Sequence, residues 1–192
     1  MRPVLIVIDM LHDFLESWEP DRKEGLVHSI NELVSVMRSL GHPVIWVRQE
    51  FEPDLRDAFP EMRAKGIRIT IKGTKGCEII SELDPVPSDT IMVKKRYSAF
   101  YGTTLDEILV RLAPDALILA GINTHACIRT TAICLNPSRD QYPCLYSHDS
   151  YRRIPARLAC DPGYRLHRFL RPGTSRNLAA IYEGQNCRGY EQ

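Results

Sequence analysis

Four short, nearly unbroken apolar runs constrain this chain more than any other feature: Val4-Leu5-Ile6-Val7-Ile8, Val44-Ile45-Trp46-Val47, Ile91-Met92-Val93 and Ala116-Leu117-Ile118-Leu119-Ala120. Strands that alternate apolar and polar residues face water on one side, whereas continuous runs of this kind are buried on both faces. Between the runs lie helical patterns. Apolar residues at 26, 30, 33, 34 and 37 recur at helix spacing between Asp21 and Gly41, and Gly41 followed by Pro43 is a stop signal. Before the fourth run, Thr104-Leu105-Asp106-Glu107 has the spacing of a capping box, and Leu105, Ile108, Leu109 and Leu112 line one helix face. Strand and helix thus alternate, which predicts an α/β fold with a mostly parallel sheet covered by helices on both faces.

Composition excludes several functions. The 192 residues fit one globular domain over 1–192, and a formal charge of +1 with 26% charged residues makes nucleic acid a poor partner. The first apolar run, five residues ending in Asp9, is too short for a membrane span and wrong for a signal peptide, so a cytoplasmic location is expected. In that compartment the six cysteines (77, 127, 134, 144, 160 and 187) are expected to be thiols. Residues 134–192 differ from what precedes them, with nine arginines, no lysine, five acids and four of the six cysteines. Their patterning is poor. Tyr142–Tyr146 is a candidate fifth strand and Leu166–Leu170 part of a candidate last helix.

In parallel α/β folds ligands bind at the carboxyl ends of the strands. Asp9 follows the first strand, Lys94 the third, and Gly121-Ile122-Asn123-Thr124-His125-Ala126-Cys127 the fourth. With Thr124 as N-cap, Cys127 becomes the third helical residue, where free N–H groups and the helix dipole favour a thiolate. Each residue alone has a plain structural reading: cysteines are commonly buried, aspartates form turns and lysines sit in solvent. Three strand ends delivering a carboxylate, an ammonium and a thiol point instead to nucleophilic catalysis. Gly73-Thr74-Lys75-Gly76 lacks the phosphate-loop pattern, and the six histidines have no ligand spacing. The charged stretch 48–88 reads as an excursion on the active-site side.

Four segments resemble the isochorismatase-like cysteine hydrolases. They are Ile8-Asp9-Met10-Leu11-His12-Asp13-Phe14, Gly73 to Ile80 with Leu83 and Pro85, Val93-Lys94-Lys95-Arg96-Tyr97-Ser98-Ala99-Phe100-Tyr101-Gly102-Thr103, and Ala120 to Ala132. The resemblance implies a three-layer fold around a six-stranded sheet, and assembly as a homodimer or homotetramer. It implies a catalytic triad of Asp9, Lys94 (rather than Lys95) and Cys127, a cis peptide between Ile122 and Asn123, and an oxyanion hole from the backbone N–H groups of Asn123 and Cys127. Phe14 and Phe100 are candidate walls of a substrate pocket. The implied reaction is hydrolysis of a small amide or ureido compound through a thioester, with Lys94 keeping Asp9 ionised and with no cofactor.

Departures from the family narrow this reading. Nicotinamidases of the family carry a metal-binding Asp-x-His after the second strand, where this chain reads Val47-Arg48-Gln49-Glu50-Phe51-Glu52, so no metal is expected. Arg48 reads as a surface residue or as a contact for a substrate carboxylate. True isochorismatases, which cleave an enol ether, lack the cysteine. Residues 134–192 depart from the family pattern, and Pro137 ends the preceding helix early. The alternatives are a hydrolase of a non-amide bond and an inactive member serving as a binding protein.

Overall fold

The computed structural model describes residues 2–135, 156–159 and 178–181. The sheet is built from β1 (Pro3–Ile8), β2 (Val44–Gln49), β3 (Thr90–Lys94), β4 (Ala116–Gly121), β5 (Ala156–Ala159) and β6 (Leu178–Ile181) in the order β3-β2-β1-β4-β6-β5. Every pairing is parallel. The continuous apolar runs are explained by the centre of the sheet, where all six residues of β1 are buried. β5 and β6, of four residues each, complete the edge. The candidate strand at 142–146 and helix at 166–170 lie outside the described residues.

Side chains alternate across the sheet and build two cores. Val4, Ile6 and Ile8 join Ile45, Val47, Met92 and Leu109 on one face, whereas Leu5 and Val7 join Trp46 and the inner side of α2 (Pro20–Ser39) on the other. The helix-spaced residues Leu26, Ile30, Leu33, Val34 and Met37 are all buried. Each such side chain contributes about 1.5–3 kcal/mol relative to exposure. α2 ends in a Schellman turn: Gly41, at φ +70°, donates to the Arg38 carbonyl and His42 to the Met37 carbonyl. The capping box expected at Thr104 is not made. α4 (Leu105–Leu112) starts there, but the Thr104 side chain caps nothing, and the Leu105 N–H bonds the Thr103 hydroxyl instead.

The excursion after β2 carries its own small core of Phe51, Leu55, Ala58, Met62 and Ile71, closed by α3 (Pro60–Lys65). Its far end returns to the first strand through a bridge between Leu11 and Ile79, just before α1 (His12–Leu15) gets under way. At the end of β4, Gly121 lies opposite Ile8 at φ +107°, and a Cβ there would run into the Ile8 carbonyl. Gly121→Ala is therefore expected to cost about 2 kcal/mol or more, from the backbone conformation and the overlap together; chemical denaturation of the purified variant measures it.

Candidate active site

β1 delivers Asp9 through an unusual turn. The residue sits at φ +58°, a left-handed conformation that aspartate tolerates better than most residues. Its N–H is held by the Val47 carbonyl and its own carbonyl accepts from Leu11 N–H, both at 2.8 Å. β3 delivers Lys94. The parallel order places β2 between β1 and β3, two inter-strand spacings or about 9–10 Å, and the Lys94 and Asp9 side chains close that distance together across the end of β2.

Cys127 comes from the turn after β4. Thr124 is not the N-cap: it begins a π-helical turn, Thr124–Ile128, with extended Asn123 before it. The Asn123 carbonyl accepts from Ala126 N–H at 3.1 Å and from Ile128 N–H at 3.2 Å, the latter bond giving the π register. Such turns are frequent at functional sites. The peptide bond between Ile122 and Asn123 is cis. α5 (Arg129–Cys134) continues from the turn.

The three groups meet in a desolvated cluster. Asp9 is 1% exposed, Lys94 0% and Cys127 5%. Lys94 Nζ lies 2.7 Å from Asp9 Oδ2 and donates to Cys127 Sγ at 3.4 Å and to the Arg96 carbonyl at 3.2 Å. Lys95 points elsewhere, into an ion pair with Asp57 at 2.8 Å.

Burial sets the protonation states. It pushes the Asp9 carboxyl above its ordinary value, outweighing the opposing influences of Lys94, the Cys127 thiol and the Gln49 backbone N–H. Lys94 does lower the Asp9 pKa, but burial outweighs it and the net shift is upward. Burial first, and the Asp9 charge second, push the Cys127 thiol up to about 12, with Lys94 only partly offsetting them. The expected low-pKa thiolate is corrected: the resting cysteine is a thiol, because desolvation outweighs any helix-end field.

The other predicted residues separate. Phe100 is buried in the same core cluster as Cys127, while Phe14 packs, partly buried, against the cluster on the other face of the sheet. Arg48 is neither a solvated charge nor beside the triad. One residue before Gln49 on β2, it points to the opposite face, pairing with Glu50 at 2.7 Å and donating to the Cys77 carbonyl at 3.2 Å. Cys77 and Cys127 are buried free thiols, as expected, whereas Cys134 is disulfide-bonded, against expectation. Among the described residues no cluster of histidine, cysteine, aspartate or glutamate could hold a metal ion, and no helix is long and apolar enough to cross a membrane.

Sequence reasoning missed Gln49. It is buried beside Lys94 and, like Asp9 and Lys94, stands at the carboxyl end of a strand, which is the signal that would have found it.

The isochorismatase domain model matches residues 3–136, most of the chain and all three clustered groups. The chain belongs to the isochorismatase family. Within that family it is 34% identical over 135 residues to a probable inactive nicotinamidase from Arabidopsis thaliana, covering 66% of this chain and 69% of the plant protein. It is 28% identical over 155 residues to the ureidoacrylate amidohydrolase of Methylorubrum extorquens, covering 67% of this chain but 61% of that enzyme. Among solved structures, the N-carbamoylsarcosine amidase of Thermoplasma acidophilum matches with a TM-score of 0.61 and 33% identity, covering 70% of this chain and 76% of the amidase. This isochorismatase-family chain thus shares its α/β fold with hydrolases of carbon–nitrogen bonds.

Proposed function

We propose that this chain is a cysteine hydrolase that cleaves the C–N bond of a small amide or ureido compound through a thioester on Cys127. The observation that carries the proposal is the buried cluster of Asp9, Lys94 and Cys127, in which the ammonium touches both the carboxylate and the thiol. The names of the bacterial and archaeal relatives, a ureidoacrylate amidohydrolase and an N-carbamoylsarcosine amidase, support the bond type.

In the proposed reaction, Asp9 takes the proton of the Cys127 thiol as sulfur attacks the carbonyl carbon. The raised pKa of Asp9 makes it a stronger base than an ordinary carboxylate. The carbonyl electron pair moves to oxygen, and the oxyanion is received by the backbone N–H groups of Asn123 and Cys127. As the tetrahedral adduct collapses, the C–N bond breaks and Asp9 gives its proton to the leaving nitrogen. Water then attacks the thioester, Asp9 takes a proton from it, and that proton returns to sulfur as the acid departs. Lys94 supplies a fixed positive charge beside the Asp9 carboxylate and beside the sulfur as it gives up its proton.

A second reading, an inactive family member that binds rather than hydrolyses, is favoured by the similarity to the probable inactive nicotinamidase. Ammonia release from a panel of small amides and ureido acids separates the two, with the purified protein and its Cys127→Ala variant run side by side. Turnover that falls at least about a thousandfold in the variant is expected, the usual scale for losing a catalytic nucleophile. Silence of the parent protein across the panel would reject the hydrolase in favour of the binder.

A further inference from the structure

β2 separates the strands that carry the acid and the ammonium, and one of its residues reaches both. Gln49 is the register partner of Lys94. Its side-chain Oε1 accepts from Lys94 Nζ at 3.5 Å, and its backbone N–H acts to lower the pKa of the Asp9 carboxyl. The other end of the same amide is anchored: Nε2 donates to the Thr70 hydroxyl at 3.4 Å. Both side chains are buried, Gln49 at 4% and Thr70 at 0% exposure.

Thr70 is itself pinned from several directions. It sits at φ +52°, its N–H donates to Asp13 Oδ2 at 2.5 Å, and its carbonyl accepts from Phe51 N–H at 2.8 Å. Asp13 in turn packs so closely on Gly76 that a Cβ there would meet its carboxylate. A continuous polar chain therefore runs from Asp13 through Thr70 and Gln49 to Lys94. The ammonium fixes which way the amide faces, because it can only donate and so claims the oxygen, while the Thr70 hydroxyl accepts from the NH2 end and anchors it.

We propose that Gln49 is a positioning residue that holds the Lys94 ammonium beside Cys127 and Asp9, with Thr70, itself held by Asp13, anchoring the far end of the amide. An ammonium has three protons to place, and at this site the acceptors within reach are Asp9, the Arg96 carbonyl, Cys127 and Gln49. Without the Gln49 oxygen, one of these fixed contacts is lost and the ammonium is held less firmly beside the sulfur. The proposal rests on the reading of Cys127 as the nucleophile, and it concerns the sulfur's charge rather than any particular substrate.

The test is the rate of alkylation of Cys127 by iodoacetamide from pH 7 to pH 11, followed by peptide mass spectrometry so that Cys77 is scored separately. Asp9 and Cys127 are the titratable groups in contact with Lys94, and both are present in every variant used. Gln49→Leu is expected to slow alkylation at pH 9 by about fivefold. Gln49→Glu, whose carboxylate claims the ammonium and repels a thiolate, should slow it about tenfold, the equivalent of one unit in thiol pKa. A purely structural role predicts the opposite sign, because a loosened core admits the reagent and speeds the reaction. Alkylation of Gln49→Leu at an unchanged or higher rate overturns the proposal. Should that variant fail to fold by circular dichroism, Thr70→Val carries the same test by releasing the amide, with about a threefold slowing expected and an unchanged or faster rate again overturning it. Slower alkylation in the variants, combined with a parent protein silent on every amide, would keep this role for Gln49 and reject the hydrolase.

Discussion

Replacing Asp9 by asparagine is expected to abolish amide turnover while making Cys127 more reactive toward iodoacetamide at neutral pH. The two effects have opposite signs because the carboxylate does two things. As the base of the proposed reaction it would accept the thiol proton during attack and later return it to the leaving nitrogen; loss of such a group typically costs 10²–10⁴-fold, and this double use places the expected loss at about a thousandfold. As a charge it opposes ionisation of Cys127, whose pKa it helps push up to about 12. Asparagine keeps the shape, accepts the left-handed backbone at this position and removes the charge. Lys94 then faces the sulfur without a competing anion, and the thiol pKa falls. A drop of one unit raises the thiolate fraction at pH 7 about tenfold. The checks are ammonia release for the first effect and alkylation kinetics for the second. Slower alkylation of Asp9→Asn would mean that Asp9 does not hold the thiol protonated.

Lys94→Ala is expected to destabilise the protein by about 3–5 kcal/mol at neutral pH, because it leaves a buried carboxylate without its counterion. Lys94 and Asp9 are both almost completely buried, so solvent cannot replace the lost partner. The loss depends on pH. Removing the ammonium takes away the main influence that lowers the Asp9 pKa, which burial already raises. Asp9 then ionises in the folded chain only at a still higher pH, whereas in the unfolded chain it ionises near its ordinary value of 3.8. The folded state binds the extra proton, so stability falls as pH rises from about 4 through the folded pKa. Denaturation midpoints of Lys94→Ala should therefore lie closer to the parent's at pH 5 than at pH 8. The double variant Asp9→Asn with Lys94→Met, which removes both charges, should recover most of the loss. A Lys94→Ala loss equal at both pH values would show that the pair is not what the deletion disrupts.

The parts of this molecule that sequence made legible share a physical cause. A parallel strand covered on both faces must be apolar throughout, so β1, β2 and β4 stand out as runs, whereas the equally apolar β3 lies at the sheet edge with Ile91 exposed, against the expectation of burial on both faces. The residue that leaves such a strand is conspicuous when polar, which is how Asp9 and Lys94 announce themselves. The failures are equally physical. Thr104 has the letters of a capping box, yet at φ −93° and ψ 16° its side chain caps nothing. Cys127 was read through a helix-end field, while its protonation is governed by desolvation and by a carboxylate 118 positions away in sequence, which no local pattern encodes. β5 and β6 escaped because four residues, two of them alanine in each, are too few to display a period. Phe14 and Phe100 were grouped by their closeness to the motifs, and the sheet then placed them in separate cores.

The register between β1 and β4, in which Ile8 lies opposite Gly121, makes the spacing of Asp9 and Cys127 a matter of counting. Asp9 is one step beyond its rung and Cys127 six beyond the same rung. Between those two strands the chain runs through more than a hundred residues whose length does not enter that count. Insertions and deletions within the connecting segments can therefore accumulate while the reacting atoms keep their separation. A single residue added inside Pro3–Ile8 or Ala116–Gly121 shifts one partner by a full rung and turns its side chain to the other face. The fold leaves the walls around the chemistry free to be remodelled, and puts the chemistry itself where a one-codon slip in either strand is fatal.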